Sequence, residues 1–336
     1  MHKKLFSLLV LVAAFSAGQV SYLHAQDAKD KPSSAAVVPG DDTRLRRWDD
    51  RFTKVSIPSS FDSTEQKAYA FFSASSMPQP LVVSLHSWSA GYQQLDQFAG
   101  LTAAAGWHYI HPDFRGPNKT PHSCASAASL SDIDDAIAYA IANANVDKDR
   151  IYVVGGSGGG HACCAISLKS RHRIRAAYAW VPITDIAAWY HQSKDRKSKY
   201  ATDIESVLES AEDFYESASQ RSPIAMPLPL KANKLHLFAG VRDGYEGSVP
   251  ISHSLLFFNR LCTDIGETDA VIESNDLAAL LTRDVRGSIA KLGERDVFFQ
   301  RTASFGSVTI FDGAHEILHD ACFEMLRQDA EGPQDS

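Results

Sequence analysis

The chain has 336 residues, with 33 Lys and Arg against 40 Asp and Glu, a formal net charge of −7 and 44% hydrophobic residues. An acidic surface repels phosphate backbones, so nucleic acid is not an expected partner. The length is enough for one sizeable α/β core. No apolar run in the chain reaches the length of a transmembrane helix, so we expect no membrane span.

The N-terminus predicts export. It starts with the basic segment Met1-His2-Lys3-Lys4, and the apolar run from Leu5 to Ala17 is too short to span a bilayer, which is typical of a secretory signal peptide. A small residue at Ala25 predicts removal of residues 1–25 and a mature start near Gln26. The 31 basic and 40 acidic residues that remain give the mature chain a net charge of −9. We therefore expect a secreted or periplasmic protein.

The remaining chain has the pattern of one domain over residues 41–336. Residues 26–40 are rich in charge, serine and proline, which predicts a disordered leader, and a short polar helix is predicted over 41–51. Segments 52–58 and 67–72 alternate apolar and polar residues, which predicts an antiparallel pair. From Pro80 the pattern alternates strand and helix, which indicates a mostly parallel, doubly wound α/β sheet with helices on both faces.

The glycine-rich segment 155–159 carries the strongest functional signal. Gly155-Gly156-Ser157-Gly158-Gly159 follows the apolar run Ile151–Val154 and precedes a stretch of helical composition. In a strand, sharp turn and helix of this kind, the serine is held in a strained conformation with its hydroxyl clear of the sheet. The first N–H groups of the new helix can stabilise an oxyanion beside it. Ser157 is therefore the predicted nucleophile.

A serine nucleophile needs a base and a carboxylate that orients the base. Asp243 follows the buried strand pattern 234–240, and His315 follows the short strand pattern 307–311. Both would lie past the carboxyl ends of strands, where open α/β sheets place functional groups. The order Ser157, Asp243, His315 predicts a catalytic triad with Asp243 as acid and His315 as base.

These residues resemble the α/β-hydrolase superfamily, and within it the prolyl oligopeptidase catalytic domain and related bacterial secreted esterases. The resemblance runs from about residue 80 to about residue 326. Leu85-His86-Ser87-Trp88 is similar to the His-Gly-x oxyanion loop of the family, and Pro112-Asp113-Phe114-Arg115-Gly116 is similar to its Asn-Tyr-Arg-Gly turn. The family implies an oxyanion hole formed by the N–H of Gly158 and that of Ser87 or Trp88.

The sequence departs from the family at two positions. The family pattern Gly-x-x-Asp-x-x-Val-Pro is lengthened here by three residues between Asp243 and Val249, which makes Glu246 an alternative acid. Asp243 is favoured because it stays closer to the end of its strand. Ser87 replaces the usual glycine, and its side chain narrows the predicted oxyanion pocket.

Two insertions interrupt the alternation of strands and helices. About residues 185–231 predict a helical cap folded over the site, because a crossover needs little more than one helix. Trp189 and Tyr190 in this cap are candidate substrate contacts, and the alternative is that they pack the cap onto the body. The family implies that His86 organises the oxyanion loop by hydrogen bonds, and it is also a candidate substrate contact. A second insertion, about 263–301, has no predicted role beyond bordering the cleft.

The five cysteines fit no zinc-binding spacing, and we expect no metal and no cofactor. If one disulfide forms, Cys262 with Cys322 is favoured, because each is predicted on a helix that follows one of two adjacent strands.

Three functions are compatible with these observations. The main interpretation is a secreted serine esterase that cleaves carboxylic esters, with a small-molecule or glycan ester as substrate. The alternative is a prolyl oligopeptidase-like serine peptidase without the propeller of that family. An ester is favoured because no pair of glutamates that could bind a free amino terminus is recognisable in the cap. A non-catalytic binding domain fits least, because all three triad residues are present.

Overall fold

The computed structural model describes residues 47–208, 212–228 and 233–332. Its strands are β1 (Thr53–Pro58), β2 (Glu65–Phe71), β3 (Gln79–Leu85), β4 (His108–Pro112), β5 (Val146–Gly156), β6 (Ala176–Trp180), β7 (Lys234–Gly240), β8 (Ala290–Leu292), β9 (Arg295–Ala303) and β10 (Gly306–Phe311). Its α-helices are α1 (Gln97–Ala104), α2 (Ala127–Asn143), α3 (Gly158–Lys169), α4 (Ile186–Asp195), α5 (Lys199–Leu208), α6 (Phe214–Gln220), α7 (Ser252–Ile265), α8 (Ser274–Thr282) and α9 (His319–Glu331). Short 3₁₀ turns occupy Pro223–Ala225 and Thr268–Ala270.

All ten described strands form one sheet in the order β1-β2-β4-β3-β5-β6-β7-β10-β9-β8. The six central strands, from β4 to β10, are parallel to one another. Antiparallel pairs extend the sheet at both edges, β1 with β2 and β9 with β8. This arrangement confirms the predicted mostly parallel sheet and its N-terminal antiparallel pair, which aligns Thr53 with Ala70.

The core lies on both faces of the sheet, because alternate residues of each central strand point to opposite sides. Ile151 and Val153 of β5 belong to one apolar cluster, together with α2, α3 and α7. Tyr152 and Val154 belong to the other, together with α1 and α9. A sheet buried on both faces requires continuous apolar runs in its strands, such as Leu81–Val83 of β3 and Ile151–Val154 of β5.

The two core clusters show that the favoured disulfide was wrong. Cys262 of α7 is buried on one face of the sheet and Cys322 of α9 on the other. All five cysteines are free and buried. A disulfide needs Cα atoms within about 7 Å, which the intervening sheet prevents for this pair.

The insertions have different structures. Residues between β6 and β7 form α4, α5 and α6, which we call the cap, in keeping with the predicted helical insertion. The insertion at 263–301 instead contributes α8 and the edge strands β8 and β9, so it widens the sheet.

Some N-terminal predictions lie outside the described residues. The signal peptide, the leader and residues 41–46 of the polar helix belong to this group. Residues 47–51 are described, and they form no helix but an irregular segment that ends in a turn, so the helix prediction was wrong there. In the described ranges no helix is long and apolar enough to cross a membrane.

Candidate active site

Ser157 occupies the sharp turn between β5 and α3. Its φ of 57° and ψ of −118° lie outside the regions that a non-glycine residue normally adopts. Strain of this kind costs on the order of 1–3 kcal/mol and persists only where the surroundings impose it. Here the Ser157 N–H donates to the Trp180 carbonyl at the end of β6 (2.9 Å), and its own carbonyl accepts from the His161 N–H (2.8 Å). The serine is thereby fixed at the N-terminus of α3.

Asp243 and His315 meet at the same edge of the sheet. The His315 Nδ1 lies 2.8 Å from Asp243 Oδ2, and because a carboxylate only accepts hydrogen bonds, Nδ1 carries the proton. The other oxygen, Oδ1, accepts from the N–H groups of Gly244 (2.9 Å) and Val249 (3.1 Å). Asp243 is buried, with a side chain that is 1% exposed, while that of His315 is 12% exposed.

Glu246 lies away from His315. Its side chain is 61% exposed and forms a surface ion pair with Arg242 (3.1 Å). The structure thus brings Asp243, and not the alternative acid Glu246, to the histidine. Asp312, three residues before His315, also pairs with Arg242.

The free nitrogen of His315 has an unpredicted neighbour. Its Nε2 lies 3.3 Å from Ser248 Oγ, in the loop between β7 and α7 that we call the β7 loop (residues 241–250). In the described part of the chain, no hydrogen bond joins His315 to the Ser157 hydroxyl. Ser157, Asp243 and His315 still follow β5, β7 and β10, whose carboxyl ends face one edge of the sheet.

The backbone of Trp88 lies against Gly158, the residue that follows Ser157. Gly158 is packed so closely against the backbone of Trp88 that an added Cβ would overlap it. The N–H of Ser87 donates to Gln94 Oε1 (2.7 Å), so it is already engaged. In the described residues, no hydrogen bond uses the N–H of Trp88, and the first N–H groups of α3 have no partner within the helix. The N–H groups of Gly158 and Trp88 are therefore the two candidate oxyanion donors.

The three candidate substrate contacts are buried. His86 is 1% exposed, and its two nitrogens lie 2.9 Å from the Ser87 carbonyl and 2.7 Å from the Asp113 carbonyl, so it organises the loop after β3 (the β3 loop, residues 86–94). Trp189 is 0% exposed and packs edge-on against Trp88, with ring centroids 4.7 Å apart. A substrate in the cleft therefore has no access to either side chain.

Tyr190 is also buried, and its hydroxyl is engaged within the cap. It donates to Glu205 (2.8 Å) and accepts from Lys194 (3.0 Å). Substrate contacts from Trp189 and Tyr190 do not match this geometry, because the two rings form the packed interior of the cap and its contact with the body.

Burial keeps the histidines around the site neutral. His161 donates from Nδ1 to the Ile183 carbonyl (2.9 Å), and burial lowers its pKa to about 4. His253 accepts the N–H groups of Thr184 and Asp185 at the start of α4, and burial lowers its pKa to about 3. Burial raises the pKa of the Cys124 thiol, which contacts His161, to about 12. These groups support the cap and supply no charge.

Sequence reasoning missed several residues that shape the site. Ser248, Arg196 and Gln94 act through contacts between distant segments, which no local pattern indicates. Val181, immediately after β6, has a φ of 42°, which is rare for a β-branched residue. The three-residue lengthening after Asp243 was the one signal in the sequence that pointed to the β7 loop.

In the described ranges, no group of three or more His, Cys, Asp or Glu side chains is arranged to hold a metal ion. The arrangement suits acyl transfer, with a strained serine, a carboxylate-bound histidine and two candidate N–H donors near the same edge of the sheet.

Comparison with solved structures supports the fold. The chain is similar to an acylaminoacyl peptidase in complex with Z-Gly-Gly-Phe-chloromethyl ketone, with a TM-score of 0.58 and 15% identity over 85% of this chain and 42% of that one. It is also similar to oligopeptidase B from Leishmania major, with a TM-score of 0.52 and 13% identity over 83% and 35% of the two chains. A third similar structure is the acylaminoacyl peptidase of Pyrococcus horikoshii, with a TM-score of 0.51 and 17% identity over 63% of this chain and 35% of that one. The chain thus spans about two-fifths or less of the length of these structures.

Sequence comparison identifies the family. No curated protein is a significant match to the chain. The sequence profile of the prolyl oligopeptidase family matches residues 94–276, which is more than half of the chain and includes both Ser157 and Asp243. With the mixed sheet and its helices, this match shows that the chain has the α/β-hydrolase fold and belongs to the prolyl oligopeptidase family.

Proposed function

We propose that this protein is a serine peptidase in which Ser157 is the nucleophile, His315 the general base and Asp243 the acid of the triad. The observation that carries the proposal is the 2.8 Å contact between His315 Nδ1 and Asp243 Oδ2 at the sheet edge where Ser157 is held in its strained turn. It fixes the tautomer of His315 in which Nε2 has a lone pair free to accept a proton.

The chemistry follows from this arrangement. Ser157 Oγ attacks the carbonyl carbon while its proton passes to His315 Nε2, and the carbonyl oxygen becomes an oxyanion. The N–H groups of Gly158 and Trp88 are the favoured donors to that oxyanion, since the N–H of Ser87 is engaged by Gln94. His315 then protonates the leaving amine, and water attacks the acyl-enzyme to release the acid and restore Ser157.

Peptide bonds are proposed ahead of esters because the family and the similar structures are peptidases. The described cap refines the expected substrate. Glu205 is bound to Tyr190, and Glu216 accepts from Gln220 (3.0 Å), so these two carboxylates are engaged within the cap. Glu212 is the one other glutamate that the structure describes in the cap, and a subsite that binds a free amino terminus with a pair of glutamates needs two unpaired carboxylates. This favours peptides with a blocked amino end, such as N-acylated peptides.

Ester hydrolysis is the second candidate, and it is supported by the same observation that Glu205 and Glu216 are engaged within the cap. An ester has no amino terminus to bind, and its alkoxide leaves more readily than an amine. Small acyl esters, or esters carried on glycans, would then be the preferred substrates, and export of the chain would expose the enzyme to such polymers.

A substrate panel separates the two candidates. We expect N-acetyl aminoacyl p-nitroanilides to be cleaved in preference to the same anilides with a free amino group, and p-nitrophenyl acetate to be cleaved as well. Turnover of acyl esters or of acetylated and feruloylated glycans, with no cleavage of any anilide, would assign the protein as an esterase. Ser157→Ala is the control, and it should lose roughly a million-fold in turnover.

Labelling tests the nucleophile independently of the substrate. A fluorophosphonate should form its bond to phosphorus at Ser157 Oγ, with loss of fluoride, and mass spectrometry should find that one site. A label on another serine, or none, would contradict the assignment.

A further inference from the structure

The contact between Ser248 and His315 is not explained by the triad. Ser248 Oγ lies 3.3 Å from Nε2, the nitrogen that must exchange a proton with the nucleophile. A hydroxyl both donates and accepts, so it can pair with Nε2 in either protonation state of the ring. At 3.3 Å the bond is long, so the imidazole can exchange this partner for Ser157 at little cost.

Three contacts, made by Gly244, Gly247 and Val249, pack the β7 loop against the Asp243–His315 pair. Asp243 Oδ1 accepts N–H groups from both ends of the loop, at Gly244 and at Val249. Gly247 lies so close that an added Cβ would overlap both Asp243 and His315. The position of Ser248 is thus set by the same backbone that binds the carboxylate.

The cap holds the loop from the opposite side. Arg196, at the end of α4, donates to the carbonyls of Gly244 (3.2 Å), Gly247 (3.3 Å) and Ser248 (2.8 Å). Trp189, in the same helix, donates from Nε1 to the Ser248 carbonyl (2.9 Å). Two side chains of α4 therefore bind the backbone of the residue whose hydroxyl reaches His315.

We propose that Ser248 is a positioning residue, which holds the His315 ring through Nε2 between catalytic steps, and that α4 sets its position through Arg196 and Trp189. The inference rests on the proposed function, since it assigns His315 the role of base. The three residues by which this loop exceeds the family pattern supply the length that brings Ser248 to the ring.

The protonation of His315 is the readout that a purely structural role would not change. The charged groups of the segments around His315 are the Asp243 carboxylate, the Arg196 guanidinium and the ion pairs Arg242–Asp312, Arg242–Glu246 and Arg295–Glu316. None of these is altered by a change at Ser248. Because a hydroxyl binds a protonated ring nitrogen more strongly than a neutral one, removing it should favour the neutral ring.

The experiment measures the rate at which a fluorophosphonate labels Ser157, as a function of pH, in the full-length protein. Ser248→Ala should label roughly 3- to 10-fold more slowly at neutral pH, the loss typical of one hydrogen bond, with its half-maximal rate shifted to lower pH. Ser248→Thr retains the hydroxyl and should keep the parent profile. Tyr245→Phe is the matched control, because it removes a hydroxyl of the same loop that bonds the Leu281 carbonyl and not the histidine.

The outcomes separate this inference from the proposed function. A parent protein not labelled at Ser157 would overturn both. If the parent is labelled at Ser157, two results for Ser248→Ala would overturn the inference alone. One is a labelling rate with the same pH dependence as the parent, and the other is a slower rate whose half-maximal pH is the same as that of the parent.

The link to the cap is tested by a double-mutant cycle. Arg196→Gln should slow labelling in the parent and have a clearly smaller effect in Ser248→Ala, since both changes act through one contact. If the two substitutions have fully additive effects on the labelling rate, the proposal that α4 positions Ser248 through Arg196 is refuted.

Discussion

Asp243→Asn should abolish most activity while Glu246→Gln leaves it nearly unchanged. In the parent, Asp243 Oδ1 accepts two backbone N–H groups and Oδ2 faces His315 Nδ1. An asparagine must keep its carbonyl oxygen towards the two N–H groups, because its NH₂ would clash with them. The NH₂ then points at Nδ1 and forces the proton onto Nε2, so the ring can no longer accept a proton from Ser157.

The expected loss is about 10⁴-fold in kcat, as found when the triad aspartate of a serine protease is replaced in this way. Glu246→Gln breaks only an exposed ion pair, worth at most about 1 kcal/mol, so kcat should stay within about twofold of the parent. Initial rates on an N-acetyl anilide and an acetyl ester, with melting curves for both variants, provide the assay. The reverse ranking, in variants that melt like the parent, would refute the assignment of Asp243.

Three further predictions follow from the cap, the buried histidines and the N-terminus. Trp189→Ala should lower the free energy of unfolding by about 3–5 kcal/mol and reduce turnover of small and large substrates alike; an effect on large substrates only, by steady-state kinetics, would contradict its burial. The pKa values of His161 and His253 are lowered in the folded state, so unfolded chains bind protons first as the pH falls below about 6.5. Each histidine's contribution to stability should therefore be complete above that pH and fall by up to about 1.4 kcal/mol per pH unit down to its folded-state pKa, about 4 for His161 and about 3 for His253. A melting temperature constant from pH 7 to pH 4.5 would contradict this. The exported protein should begin near Gln26 by mass spectrometry, and intact Met1 in cytoplasmic material would count against export.

The sequence predicted the features that depend on local patterns. The strand at Lys234–Gly240 was predicted with its observed bounds, and Ser157 lies in the predicted turn, because an apolar run followed by glycines determines both. Asp243 was favoured over Glu246 on its distance from a strand end, and the structure brings that residue to His315.

Features that depend on which side of an element a residue faces were not predictable. Trp189 and Tyr190 were predicted either to contact substrate or to pack the cap onto the body, since composition does not tell whether a ring faces the cleft or the interior of the cap. Cys262 and Cys322 follow adjacent strands, but their helices cross to opposite faces of the sheet. Ser248 and His315 are 67 residues apart in sequence, so their contact depends on the path of the β7 loop.

The cap contacts two parts of the catalytic geometry at once. Trp189 packs against Trp88 in the β3 loop and donates to the Ser248 carbonyl in the β7 loop. Asp203 of α5 accepts from Trp88 Nε1 (3.2 Å) and from Lys199 (3.1 Å). Because the same helices hold the loops that carry Trp88, a proposed oxyanion donor, and Ser248, the neighbour of the proposed base His315, substitutions in the buried side of the cap should change kcat. Selectivity between substrates should then depend on the exposed side chains at its rim, such as Lys199, which also contacts Ser89 of the β3 loop (2.6 Å).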